Sequence, residues 1–189
     1  MCKQNIFKEK DLQQIELNLN NNYQNIKNQI SSQTSKDLCG LEFYFKEKYK
    51  ENHLNILFKS YDCQDIRINP SVITFLFNEK GDFLVEEEII ELENIKDFIK
   101  KSIIEERNRR QTETFYISFQ ITSKIEAPLF NTIIEYTIDG IYLYYEEVSI
   151  KKFNKKFCQL SALELHKLMS EFQFAFTSYE VITPPELTK

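Results

Sequence analysis

The feature that most restricts what this chain can fold into is a two-residue alternation of apolar and polar side chains, repeated in segment after segment. Leu41, Phe43 and Phe45 alternate with Glu42, Tyr44 and Lys46. Leu54, Ile56 and Phe58 alternate with Asn55, Leu57 and Lys59, and Pro70 opens a third run, Val72 to Phe77. Period two is the signature of a strand, because successive side chains leave opposite faces of the backbone. Asn78-Glu79-Lys80-Gly81 reads as a hairpin loop that returns the chain through Asp82 to Ile90. A further run places Phe115, Ile117, Phe119 and Ile121 on one face and Tyr116, Ser118, Gln120 and Thr122 on the other. Asp139-Gly140 then forms a two-residue turn signal that would pair Ile138 with Ile141, Tyr136 with Leu143 and Ile134 with Tyr145. The tail, Phe174 to Ile182, is expected as a last strand.

Three stretches carry helical spacing instead. Leu12, Ile15, Leu19, Tyr23, Ile26 and Ile30 predict a helix over 6–31. Leu92, Ile95, Phe98, Ile99 and Ile103 predict one over 91–108, with Arg107, Arg109 and Arg110 complementing the dipole at its C-terminal end. The last helix opens on a capping box, Ser161 and Glu164, with Leu160 and Leu165 placed for a hydrophobic staple. The expectation is an α+β fold: one or two antiparallel sheets of about seven to eight strands with three helices packed against them. A chain of 189 residues suits a single domain, 1–189, with a weak hint of internal duplication between 6–90 and 91–182. The 16 Phe and 10 Tyr favour pleated, half-buried surfaces, and only 3 Gly argue against phosphate-cradling loops.

The chemistry-bearing residues are sparse. His53 falls in an expected turn and His166 on the polar side of the last helix, neither beside a nucleophile. Cys2, Cys39, Cys63 and Cys158 show no paired ligand spacing and read as reduced, buried thiols. Met1 to Lys10 lacks the apolar core of a secretory leader, and no apolar run approaches the ~18 residues that span a membrane. The expectation is therefore a cytoplasmic chain with no cofactor, no catalytic residues and no membrane partner. A net charge of −5 discourages nucleic-acid binding and suits a basic protein partner. The basic stretch Lys151-Lys152-Phe153-Asn154-Lys155-Lys156-Phe157 reads as a charged connector anchored by its two Phe.

A protein-binding surface is expected in two places. Glu86, Glu88 and Glu91 belong to the densest acidic run, and Tyr142, Tyr144, Glu135 and Glu146 would share the polar face of the Asp139-Gly140 hairpin. The competing reading is a small enzyme or metal-binding protein that uses scattered carboxylates, Cys and His. The stretch from Phe130-Asn131-Thr132 through Ile138-Asp139-Gly140 to Tyr144-Tyr145-Glu146-Glu147 resembles the C-terminal hairpin of YezG-type immunity proteins of bacterial polymorphic toxin systems. That resemblance implies a non-catalytic inhibitor that binds and blocks a toxin or effector domain.

Overall fold

The computed structural model describes residues 13–15, 28–30, 32–33, 42–49, 52–59, 71–77, 83–85, 88–109, 114–121, 127–171 and 173–179. Five strands of seven or eight residues form the body of one sheet: β2 (Glu42–Tyr49), β3 (Asn52–Lys59), β4 (Ser71–Phe77), β7 (Thr114–Ile121) and β8 (Gln173–Tyr179). Three short strands extend its edges: β1 (Gln14–Ile15), β5 (Phe83–Val85) and β6 (Glu88–Ile89). The order across the sheet is β1-β2-β3-β8-β7-β4-β5-β6. Helical residues occur at 28–30 and 32–33 (α1), and three longer helices follow: α2 (Ile95–Arg109), α3 (Ala127–Phe153) and α4 (Ala162–Glu171).

The fold is α+β, but the sheet is mixed rather than antiparallel, and its body is narrower than the expected seven to eight strands. The four central strands β3, β8, β7 and β4 run parallel to one another, while β2 pairs antiparallel with β3, β5 with β4 and β6 with β5. Parallel neighbours need a long crossover, and helices supply it. The chain leaves β4, passes β5, β6 and α2 to reach β7, then uses α3 and α4 to reach β8. The expected three helices become four, and the added one, α3, lies in the crossover that lets β8 run parallel to β7.

That added helix is the largest correction. Residues 127–153 form one continuous α3 where a hairpin turning at Asp139-Gly140 was expected. The segment is apolar at so many positions that both periods fit it. The buried set decides between them: Phe130, Ile133, Ile134, Thr137, Ile138, Ile141, Tyr144, Tyr145 and Ser149 recur at steps of three and four. Of the six residues assigned to one hairpin face, Tyr136 is only half-buried and Leu143 is exposed. Pro128 sits in the first turn, where its missing N–H costs nothing. Asn154, at φ 53°, ends the helix in the left-handed conformation, and its N–H donates to the Ile150 carbonyl at 3.0 Å. Gly140 has a packing role: a Cβ there would lie 2.7 Å from Ile99 Cβ and from the Lys96 carbonyl oxygen. It lets α3 meet α2 at close range.

The core lies between this helical layer and one face of the sheet. Ile73 and Phe75 of β4, Phe115, Ile117 and Phe119 of β7, and Phe174 and Phe176 of β8 are all buried and in register across it. Phe119 meets the Phe130 ring of α3 edge-on at 5.4 Å, and Tyr145 meets Phe174 at 5.4 Å. Tyr44, Leu57, Ser118 and Ala175 are buried as well, so the centre of the sheet is covered on both faces, as parallel sheets are.

Other expectations fare unevenly. The helix expected over 6–31 is interrupted at Gln14–Ile15, which pair in parallel with Tyr44–Phe45. Its residues 6–12 and 16–27, and the loop 78–81, lie outside the described residues. His53 stands on β3, opposite Lys48, rather than in a turn. The 91–108 helix is α2 preceded by a 3-10 turn, Leu92–Asn94, and the tail strand is β8.

Candidate functional site

The acidic residues expected to bind a partner separate into two groups. Glu88 lies on β6, the terminal strand of the sheet, and Glu91 follows it at the entry to the 3-10 turn. Both are exposed, as is Glu93, and Ile89 between them stands 79% exposed. Glu86 lies outside the described residues. The sheet edge thus presents a large aliphatic side chain among carboxylates.

The residues expected on a hairpin face are on α3 instead, and the structure does not bring them to that edge. Glu135 and Tyr142 are half-buried, and the Tyr142 ring meets Phe157 edge-on at 5.9 Å. Tyr144 is only 1% exposed; its hydroxyl accepts a hydrogen bond from Arg107 Nη1, and burial raises its pKa against the opposing pull of that guanidinium. Glu146 accepts the Phe157 N–H at 2.8 Å and so secures the 3-10 turn Phe157–Gln159 after α3. These side chains join helices and turns to one another.

Several glutamates on the helical side of the molecule are paired with cations. Glu171 of α4 takes Arg107 at 3.5 Å and Lys152 as partners. Glu147 takes Lys151 at 2.5 Å and Lys100 at 2.9 Å, and these bonds, Lys151 first, hold its carboxyl below the ordinary value. Lys155 reaches Glu164 at 2.7 Å. The Lys151–Phe157 stretch is accordingly a connector whose buried anchor is Phe157, at 1% exposure, and whose lysines 151, 152 and 155 are paired with glutamates. By contrast, Glu88, Glu91 and Glu93 form no ion pair among the described residues.

One feature of this edge had no signal in the sequence. Val72 and Ile73 of β4 come near α2. A cleft of about 460 Å³ opens there. Val72 and Ile73 line its sheet side, Glu88 one end, and Phe98, Lys101 and Glu105 of α2 the opposite wall.

Among the described residues no group of three or more His, Cys, Asp or Glu could hold a metal ion, and no helix is long and apolar enough to cross a membrane. His166 is exposed on α4. Cys158 corrects the expectation of buried, reduced thiols, because it is exposed and disulfide-bonded.

The fold and its edge define an α+β domain with a mixed sheet, four parallel central strands, and an acidic terminal strand beside an open cleft. No protein-family model matches the chain, and neither the curated proteins nor the solved structures include a match to it.

Proposed function

We propose that this chain is a non-catalytic protein-binding module whose docking surface is the sheet edge at β6, and that it acts as an immunity-type inhibitor, occluding a basic toxin or effector domain. The observation that carries this reading is the contrast in charge pairing. Glu147, Glu164 and Glu171 each have a Lys or Arg partner within the chain, whereas Glu88, Glu91 and Glu93, close in sequence to the exposed Ile89, have none among the described residues. An exposed aliphatic side chain in an acidic segment complements a partner that offers an apolar pocket within a basic field. The test is to look in the adjacent gene for a secreted protein with a variable C-terminal domain and to co-express that domain with this chain. Rescue of growth and co-elution on a sizing column are the expected results, and failure of both sinks the reading. Glu88→Lys combined with Glu91→Lys should weaken the complex roughly tenfold at low ionic strength and less at high salt. Equal affinity at low salt would remove this edge from the interface.

A further inference from the structure

We infer that the cleft between β4 and α2 is a guanidinium site, which takes an arginine side chain of the basic partner as an anchor of the complex. This rests on the protein-binding reading and names the group that the acidic edge recognises. The cleft holds about 460 Å³ and is lined by Val72 and Ile73 of β4, by Glu88 of β6 and by one face of α2. On that face Phe98, Lys101, Glu105 and Arg109 recur at steps of three and four, a stripe distinct from the buried Ile95, Ile99 and Ile103. An apolar strand wall thus meets a mostly charged helix wall, and the occupant that suits both is amphipathic. The charges decide its sign. Lys101 reaches Glu105 at 3.7 Å and Arg109 is paired with Glu106, so these four cancel in pairs. Glu88 is exposed and forms no ion pair among the described residues, which leaves the described lining with one carboxylate over. Because Glu88 also stands on β6, the cleft is continuous with the acidic edge. The half-buried Phe98 adds an aromatic ring to the same space. A guanidinium suits this set better than an ammonium: its plane stacks on an aromatic ring, its N–H fork meets a carboxylate, and its aliphatic stem lies against apolar side chains such as Val72. An anionic side chain would meet Glu88 with like charge, and a wholly apolar one would desolvate that carboxylate without a partner for it.

The probe is N-acetyl-arginine N-methylamide, titrated into the full-length protein at low ionic strength and followed by amide chemical shifts. The expected result is saturable shifts at Val72, Ile73 and Ser102, all of which line the cleft. The matching lysine derivative should bind at least roughly threefold more weakly. Glu88→Gln, a change at an exposed position, should weaken arginine binding roughly threefold, while Glu93→Gln, outside the cleft lining, should not. Phe98→Leu, which keeps an apolar side chain but removes the ring, should weaken it by a similar factor. Absence of saturable shifts at the cleft overturns the inference, as do equal affinities for the arginine and lysine derivatives. Equal loss from Glu88→Gln and Glu93→Gln overturns it too. A protein that rescues growth yet ignores the arginine probe keeps the binding function and loses only this anchor, whereas probe binding without rescue keeps the guanidinium site and sinks the inhibitor reading.

Discussion

Thr137 and Gly140 sit one turn apart on α3 and face opposite problems. Thr137 is fully buried and its Oγ1 finds no hydrogen-bond partner among the described residues, so it carries a desolvation penalty without return. Thr137→Val keeps the shape and removes the hydroxyl; an increase in stability of up to about 1 kcal/mol is expected by urea unfolding. Ser118 Oγ is in the same position on β7. At Gly140 the constraint is space. Alanine is the better helix former by about 1 kcal/mol, but its Cβ would meet Ile99 and the Lys96 carbonyl at 2.7 Å. Overpacking at such a contact costs about 1–3 kcal/mol, so Gly140→Ala should lower the urea midpoint. A higher midpoint would mean that α2 and α3 do not meet there. Neither role is visible in the sequence, where Gly140 follows an Asp and imitates a hairpin turn.

The entry of α4 is the element that local sequence describes best. The Ser161 N–H donates to Glu164 Oε2 at 2.8 Å, and the Glu164 N–H returns to Ser161 Oγ at 3.4 Å. Leu160 is buried and Leu165 packs on the core, as the staple requires. All partners lie within five residues, so no tertiary knowledge was needed to find them. Ser161→Ala should cost about 1 kcal/mol, read by chemical denaturation. The same cap has a pH signature. The hydrogen bond from Lys155, then those from the Ser161 N–H and hydroxyl, lower the Glu164 pKa to about 2. A depressed folded-state pKa stabilises the native state above the unfolded pKa of about 4.3, and this contribution fades as pH falls toward the folded value. Stability should thus drop between those two pH values, with Glu164→Gln flattening part of the slope; a carboxyl resonance of Glu164 titrating near its ordinary pH would contradict this.

At the scale of the whole molecule, strand direction and charge distribution matter most. Paired charges gather where α2, α3 and α4 meet, while Glu88, Glu91 and Glu93, without an ion pair among the described residues, lie on or just after β6. The two regions therefore differ in what they offer a binding protein. The turn after α3 also carries a covalent link, the disulfide at Cys158. Alkylation of the native protein should spare Cys158 until a reductant is added, as mass spectrometry of its peptide can show. Labelling without reduction would return the chain to the reduced-thiol reading.

The sequence by itself determined the positions of most strands, the α2 and α4 helices and the acidic composition of the β6 edge. These follow from neighbours two to four residues apart, and local periodicity records such neighbours faithfully. Only the tertiary structure decided that 127–153 is a helix, because an almost uniformly apolar segment satisfies both periods until the sheet and α2 select its buried stripe. From that one choice came the parallel pairing of β7 with β8, the burial of Tyr144, and the transfer of Glu135, Tyr142 and Glu146 from a sheet face to helix joints. The cleft between Val72 and Ile73 of β4 and the Phe98–Arg109 side of α2 was likewise set in three dimensions, by the packing of α2 on the sheet.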